Sequence, residues 1–153
     1  MSLDFANPIG VAAAAAPEMR FVVFSDSSII TCPVDHAASF VSVLAFLTRQ
    51  WGADGMLVRG GVAAGHVEWV DDWTDKPFRA LPNLSLSRVF GLALLNAYET
   101  EQKSGAGAMI FLHNTAVEVL SSIDESFVVP TSPPILTCCD EDLAGRYPKV
   151  MEL

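Results

Sequence analysis

Asp26 is the residue whose setting most suggests metal chemistry. It lies between two serines, and short apolar runs at 21–24 and 28–31 flank this polar triplet. The β-branched and aromatic residues of both runs predict buried strands. A carboxylate at such a turn could bind a divalent cation, or it could accept hydrogen bonds from its own backbone. Both interpretations stay open, because one carboxylate alone is a poor magnesium site.

A glycine-rich stretch follows Arg59 and could in principle hold an anion. It contains Gly60, Gly61 and Gly65. The spacing is not that of a Walker loop, and the stretch lies within a predicted strand rather than at a helix N-terminus. We therefore expect the glycines to let the strand pack closely on a helix. For Arg59 a salt bridge is favoured over an anion site.

Other catalytic chemistries find little support in the sequence. His36, His66 and His113 are far apart, and none has a second metal-ligating residue at close spacing, which argues against zinc. The chain has no Gly-x-Ser-x-Gly motif, so a serine hydrolase of that type is not expected.

The three cysteines indicate reduced thiols. They are Cys32, Cys138 and Cys139. An odd number without regular spacing does not predict a disulfide framework, and adjacent cysteines bridge only with strain. We expect a cytoplasmic protein.

The composition predicts one packed domain with an acidic surface. Of the 153 residues, 51% are hydrophobic and 18% charged, and the formal net charge is -9. The nine basic residues are scattered, whereas nucleic-acid binding proteins gather such residues on one face. No apolar run approaches the roughly 18 residues that predict a transmembrane helix. Neither nucleic acid nor a membrane is an expected partner.

Apolar periodicity and turn residues predict the order of helices and strands. The predicted strands are 18–24, 28–31, 56–65, 66–70, 108–112, 127–129 and 135–138. The first two form either one hairpin or two separate strands, and the strand at 66–70 is expected to be antiparallel to its neighbour.

The predicted helices are a short helical turn at 12–16 and three longer segments at 37–51, 88–103 and 116–121. The expected N-cap residues of these three segments are Asp35, then Ser85 or Ser87, then Asn114 or Thr115. The segment 71–84 is predicted to be a loop.

This order predicts an α+β fold, with helices packed on one face of an antiparallel-dominated sheet. We expect an N-terminal extension at 1–17, a domain at 18–140 and a polar tail at 141–153. In the second long helix, Phe90, Leu94, Ala97 and Glu101 are predicted to share one stripe, widened by Leu95 and Tyr98.

Three segments, 24–27, 59–65 and 89–101, together resemble the class III adenylate/guanylate cyclase domain. They are Phe-Ser-Asp-Ser, Arg-Gly-Gly-Val-Ala-Ala-Gly and Val-Phe-Gly-Leu-Ala-Leu-Leu-Asn-Ala-Tyr-Glu-Thr-Glu. The likeness is to an uncharacterised bacterial branch of that family and spans about residues 20–113. It implies a ferredoxin-like core and a head-to-tail dimer with active sites at the interface. In active members two aspartates hold two divalent ions, Mg²⁺ or Mn²⁺, for phosphoryl chemistry.

The resemblance places Asp26 at the second of those metal-binding aspartates. The first belongs to an earlier strand with a Phe-Leu-Asp-Ile-like motif, which this chain lacks. Asp4 is followed by Phe-Ala-Asn-Pro, which does not match that motif.

The second long helix departs further from active cyclases. They carry an asparagine and, four residues later, an arginine, where this chain has Leu95 and Glu99. Asn96 is one residue away, which turns it about 100° around a helix. The position that selects the base is the apolar Leu92.

These departures lead us to expect a cyclase-homology domain that is not catalytic. It would act as a dimerising or regulatory module, a homodimer with weak nucleotide or metal affinity through Asp26. The alternative is a nucleotide cyclase, or another two-metal phosphoryl-transfer enzyme, completed by an upstream strand or a partner chain.

Overall fold

The computed structural model describes residues 5–24, 26–70, 88–104 and 107–136. This part of the chain forms four α-helices and eight short strands. In chain order they are α1 (Ala6–Ala15), β1 (Arg20–Phe24), β2 (Ser27–Thr31), α2 (Ala37–Ala53), β3 (Gly60–Val62), β4 (Glu68–Val70), β5 (Arg88–Phe90), α3 (Leu92–Lys103), β6 (Ile110–Leu112), α4 (Asn114–Ile123), β7 (Val128–Val129) and β8 (Ile135–Leu136), with 3₁₀ helices at Val34–His36 and Glu125–Phe127.

The strands form three small sheets rather than the one expected. β1 and β2 make an antiparallel hairpin, β4 pairs antiparallel with β5, and the largest sheet has the order β3-β6-β8-β7. Only the β3–β6 pair among these is parallel. The chain is thus α+β with mostly antiparallel pairing, as predicted, while the ferredoxin-like arrangement stays a prediction.

Helix α2 is the centre of the core because it is buried on two sides. One side carries Val41, which packs in a cluster with Leu112 of β6 and Phe127. The other side carries Val43 and Leu47, which belong to a second cluster. Each fully buried side chain of this size contributes about 1.5–3 kcal/mol. The predicted helical spacing over 37–51 is confirmed.

Helix α1 supplies buried residues to the second cluster. Ile9 and Ala12 are almost completely buried there. The Phe5 ring stacks on Trp51 of α2 with centroids 4.7 Å apart, and the Trp51 indole N–H donates to the Phe5 carbonyl at 3.1 Å. Ten residues are marginal as an isolated helix, so this packing explains a helix longer than the predicted turn at 12–16.

The β1–β2 hairpin and the β4–β5 pair meet through Trp69 of β4. Its indole N–H donates to the Thr31 hydroxyl of β2 at 3.0 Å. The Arg20 guanidinium of β1 lies 4.7 Å from the centre of its ring, a cation–π contact of about 0.5–1 kcal/mol. The predicted strand at 66–70 is antiparallel, but its partner is β5.

The pairing of β4 with β5 corrects the predicted start of the second long helix. Residues 88–90 are strand, and α3 begins only at Leu92. Gly91 precedes it with φ of 147°, and an added Cβ there would lie 2.9 Å from the Val67 Cα. A glycine is therefore required where β5 turns into α3. The proposed caps Ser85 and Ser87, and the predicted loop at 71–84, lie outside the described residues.

Two other helix caps also differ from prediction. Asp35 lies inside the 3₁₀ helix, and His36 occupies the N-cap position of α2 without a side-chain hydrogen bond. Helix α4 begins at Asn114, and its N-cap is His113 rather than Asn114 or Thr115. The predicted strand at 56–65 is shortened to Gly60–Val62.

Candidate functional site

Asp26 lies exposed in the turn of the β1–β2 hairpin. The last strand pair before the turn is Phe24 with Ser27. Within the described ranges, no group of three or more His, Cys, Asp or Glu side chains could hold a metal ion. The role of Asp26 as a metal ligand stays a prediction.

The glycine-rich stretch is used for close packing, as predicted. Gly61 of β3 faces Ala97 of α3, and an added Cβ would lie 2.9 Å from the Ala97 carbonyl carbon and overlap its oxygen. At Gly60 the nearest side-chain atom, Ile110 Cδ1, would be 3.2 Å away. Only glycine allows β3 to lie this close to the helix backbone.

Arg59 forms the predicted salt bridge. Its Nε lies 2.7 Å from Oε1 of Glu101, and its terminal nitrogen donates to the Glu101 backbone carbonyl. The two side chains are 31% and 24% exposed. The guanidinium thus joins the chain before β3 to the last turn of α3, where a cation also complements the helix dipole.

Helix α3 has an inner and an outer face. The inner face carries Ala93, Ala97 and Glu101, which pack on β3 and its flanks. The outer face carries Leu92, Leu95 and Tyr98, which are 64%, 52% and 62% exposed. The widened apolar arc predicted from Leu95 and Tyr98 therefore points to solvent, and Phe90 lies on β5 instead of on the helix.

Glu99 stands where the resemblance would require an arginine. Its carboxylate accepts a hydrogen bond from the Lys103 ammonium, one turn further along α3. That hydrogen bond and the charge of Lys103 lower the pKa of Glu99, and His113 adds to the effect. The position is therefore negatively charged at neutral pH and already paired.

A cleft of about 370 Å³ with both polar and apolar walls opens beside Glu99. Three parts of the chain form its walls: helix α3, the segment where β6 leads into α4, and the connection from β7 to β8. We call it the α3–α4 cleft. Its lining residues are Asn96, Glu99, Thr100, Lys103, Ser104, Leu112, His113, Asn114, Ser132, Pro133 and Pro134. The resemblance assigns a role to none of these except the position of Glu99, so sequence reasoning missed the cleft as a site.

His113 joins this cleft to the rest of the fold. Its backbone N–H donates to the Val62 carbonyl at 2.8 Å. Its ring Nδ1 accepts from the Thr115 backbone N–H at 3.3 Å, which caps α4. From sequence, His113 is weighed only against zinc binding, and histidine is an uncommon N-cap residue. No signal in the sequence therefore indicates this role.

Cys32 lies beside a smaller, mostly apolar cavity of about 100 Å³. Ala93 of α3 and Gly65 line the same cavity. Cys32 is a free cysteine. Burial raises the pKa of its thiol to about 11, and the charges of Glu18 and Asp35 add to the shift. A thiol held neutral in this way is a weak nucleophile. Cys138 and Cys139 lie outside the described residues.

Comparison with family models, curated proteins and solved structures finds no match to this chain. No helix in the described parts of the chain is both long enough and apolar enough to cross a membrane.

Proposed function

We propose that this chain is a cyclase-homology domain that has lost catalysis and acts as a dimerising or regulatory module in the cytoplasm. The observation that carries the proposal is the occupancy of two positions on α3. Leu95 is an exposed apolar residue, and Glu99 is a carboxylate paired with Lys103. The resemblance requires an asparagine and an arginine there to orient the ribose and stabilise transition-state charge.

A carboxylate at the arginine position acts against triphosphate chemistry. The carboxylate and the triphosphate carry like charges, so they repel each other. Removal of a positive group that stabilises phosphoryl transfer costs about 10³–10⁵ in rate in enzymes that depend on one. An upstream strand could add a metal-binding aspartate, but it could not change Glu99.

The fold supports the proposal at a coarse level. The α+β architecture and the close packing of β3 on α3 through Gly61 are compatible with a ferredoxin-like cyclase core. The exposure of Asp26 in its hairpin turn leaves room for weak binding of Mg²⁺ or Mn²⁺, or of a nucleotide with its metal. A lone carboxylate holds such an ion weakly.

The homodimer is proposed from the outer face of α3. Leu92, Leu95 and Tyr98 expose more than half of their surface on one side of this helix. Exposed apolar groups that cluster on one surface are typical of protein interfaces. The resemblance implies that a second copy of the chain covers such a face.

A cyclase assay tests the loss of catalysis. We expect no cyclic nucleotide when the purified protein is incubated with ATP or GTP and Mn²⁺, with the Asp26→Ala variant in parallel as the control. Product formation that disappears in Asp26→Ala would contradict the proposal.

The alternative is a nucleotide cyclase or another two-metal phosphoryl-transfer enzyme, completed by an upstream strand or a partner chain. The exposed position of Asp26 favours it, because a second carboxylate could approach from outside. A longer chain that carries the genomic sequence upstream of Met1 separates the two. It is active under the alternative, and it stays inactive under our proposal.

A further inference from the structure

The hydrogen bonds around His113 determine which ring nitrogen carries the proton. Nδ1 accepts from the Thr115 backbone N–H at 3.3 Å and lies 3.0 Å from the Thr115 hydroxyl. That hydroxyl already accepts from the Ala64 backbone N–H at 3.0 Å, so its own proton is left to donate. Since Nδ1 is an acceptor, neutral His113 carries its proton on Nε2. The side of the ring away from Thr115 is thus a hydrogen-bond donor.

Several other polar groups of the α3–α4 cleft have hydrogen-bonding capacity left over. In the described part of the chain, neither His113 Nε2 nor the side-chain amides of Asn96 and Asn114 has a hydrogen-bond partner. The Lys103 ammonium has three donors, of which Glu99 takes one. The cleft therefore offers several donors that suit a ligand with acceptor oxygens.

The charges of the cleft favour one negative charge on that ligand over two. The formal charges of Glu99 and Lys103 cancel, and the Lys103 ammonium is the group that attracts an anion. Glu99 repels it, and the formal net charge of -9 repels it further. Lys103 is the one Lys or Arg among the described residues that line the cleft, so the second charge of a dianion such as phosphate would enter without a counterion, which favours a carboxylate.

The rest of the lining suits a small hydrocarbon group. Leu112, Pro133 and Pro134 form the apolar part of the wall. A volume of about 370 Å³ holds a short aliphatic chain together with its carboxylate.

We propose that the α3–α4 cleft binds a small organic monocarboxylate. The carboxylate oxygens accept hydrogen bonds from His113 Nε2–H and the Lys103 ammonium, the amides of Asn96 and Asn114 complete the polar contacts, and the hydrocarbon part packs against Leu112 and the two prolines. This site does not involve Asp26.

An NMR titration with sodium butyrate tests the site, with butyramide as the neutral isostere and sodium phosphate as the dianion at equal ionic strength. We expect saturable shifts of the His113 ring nitrogens and the Asn114 amide in the millimolar range for butyrate alone. Lys103→Gln should weaken butyrate binding about tenfold, the equivalent of about 1.4 kcal/mol. Arg49→Gln, which removes an exposed cation on α2, should leave the binding unchanged.

Four results would overturn the proposal. They are the absence of saturation with butyrate, an equal response to butyramide, tighter binding of phosphate than of butyrate, and unchanged binding in Lys103→Gln. The chemical shifts of the ring nitrogens also report which of them carries the proton of neutral His113. A proton on Nδ1 would leave Nε2 without its donor role and would count against the site. Because both variants replace solvent-exposed side chains, loss of folding does not confuse the comparison.

Discussion

The two faces of α3 differ in how much of their surface the rest of the fold covers. On the inner face, Ala97 lies so close to Gly61 that no side chain fits between them, and Glu101 is held by a half-buried arginine. On the outer face, Leu95 and Tyr98 remain exposed.

The same helix also carries two ion pairs that differ in how much they stabilise the fold. Arg59–Glu101 is about one-third exposed or less on both sides, and it uses both the carboxylate and a backbone carbonyl. Lys103–Glu99 is 74% and 48% exposed. Exposed pairs contribute little because water and salt screen them, whereas partly buried pairs with several hydrogen bonds contribute more. The inner face therefore stabilises the fold, and the outer face is left for ligands and partners.

The largest expected effect is on the inner face at Gly61. Gly61→Ala places a methyl group against the Ala97 carbonyl, so β3 and α3 must separate. We expect a loss of about 3 kcal/mol in the free energy of unfolding, measured by urea denaturation. The matched control is Gly52→Ala in α2, where an added Cβ has no neighbour within 4 Å. The control should be neutral or stabilising by up to about 1 kcal/mol. Equal effects at the two glycines would show that the inner face is not closed.

Removal of Arg59 is expected to have the next largest effect. Arg59→Gln leaves the partly buried Glu101 carboxylate without its cation, which should cost about 2 kcal/mol of unfolding free energy. Lys103→Gln removes the cation of the exposed pair, and we expect no measurable shift of its urea midpoint. If both variants lost the same stability, the difference between the two pairs would be refuted.

The alkylation rate of Cys32 measures how well the cavity on the inner side of α3 is shielded from solvent. Its cavity includes Ala93 of α3, and its pKa is raised from 9.0 to about 11. At pH near 8 the thiolate fraction should be about 100-fold lower than in the unfolded chain. Alkylation of Cys32 in the folded protein, followed by mass spectrometry of its peptide, should be slower by at least that factor.

The raised pKa of Cys32 also makes the stability of the fold depend on pH. Because the pKa of Cys32 is higher in the folded chain, its contribution to the free energy of unfolding is complete below pH 9 and is lost as the pH rises through about 11.

For the alkylation experiment, rapid reaction of Cys32 in the folded protein near neutral pH would show that its cavity is open to solvent.

The smallest expected effect concerns Glu99 on the outer face. Its lowered pKa means that the contribution of the carboxylate is present at neutral pH and is lost as the pH falls through the folded-state value. In Lys103→Gln the pKa of Glu99 should rise towards its usual value, as measured by carboxyl chemical shifts. An unchanged titration would show that Lys103 does not hold this carboxylate in solution.

The parts of the fold predicted from sequence are those with strong local patterns. The two strands of the β1–β2 hairpin follow from two apolar runs around a polar turn, although the strands are half-buried or exposed rather than buried as predicted. Helix α2 follows from apolar residues at helical spacing. The close packing at Gly61 was also foreseen, because glycines inside a strand have few other uses.

The parts that were missed depend on contacts between distant segments. Residues 88–90 continue the apolar pattern of α3, and only their pairing with β4 makes them a strand. The α3–α4 cleft combines residues from α3, α4 and the β7–β8 connection, which no local motif links. His113 caps α4 with a ring nitrogen, a role that amino-acid preferences do not favour.

Light scattering at micromolar concentration tests most directly the central claim, that the outer face of α3 meets a second copy of the chain. We expect a mass twice the 16.4 kDa of one chain. We also expect a monomer for Leu95→Asp and an unchanged dimer for Leu57→Asp, which alters a leucine that is 86% exposed and lies outside this face. A monomeric wild-type protein, or a dimer that survives Leu95→Asp, would contradict the claim.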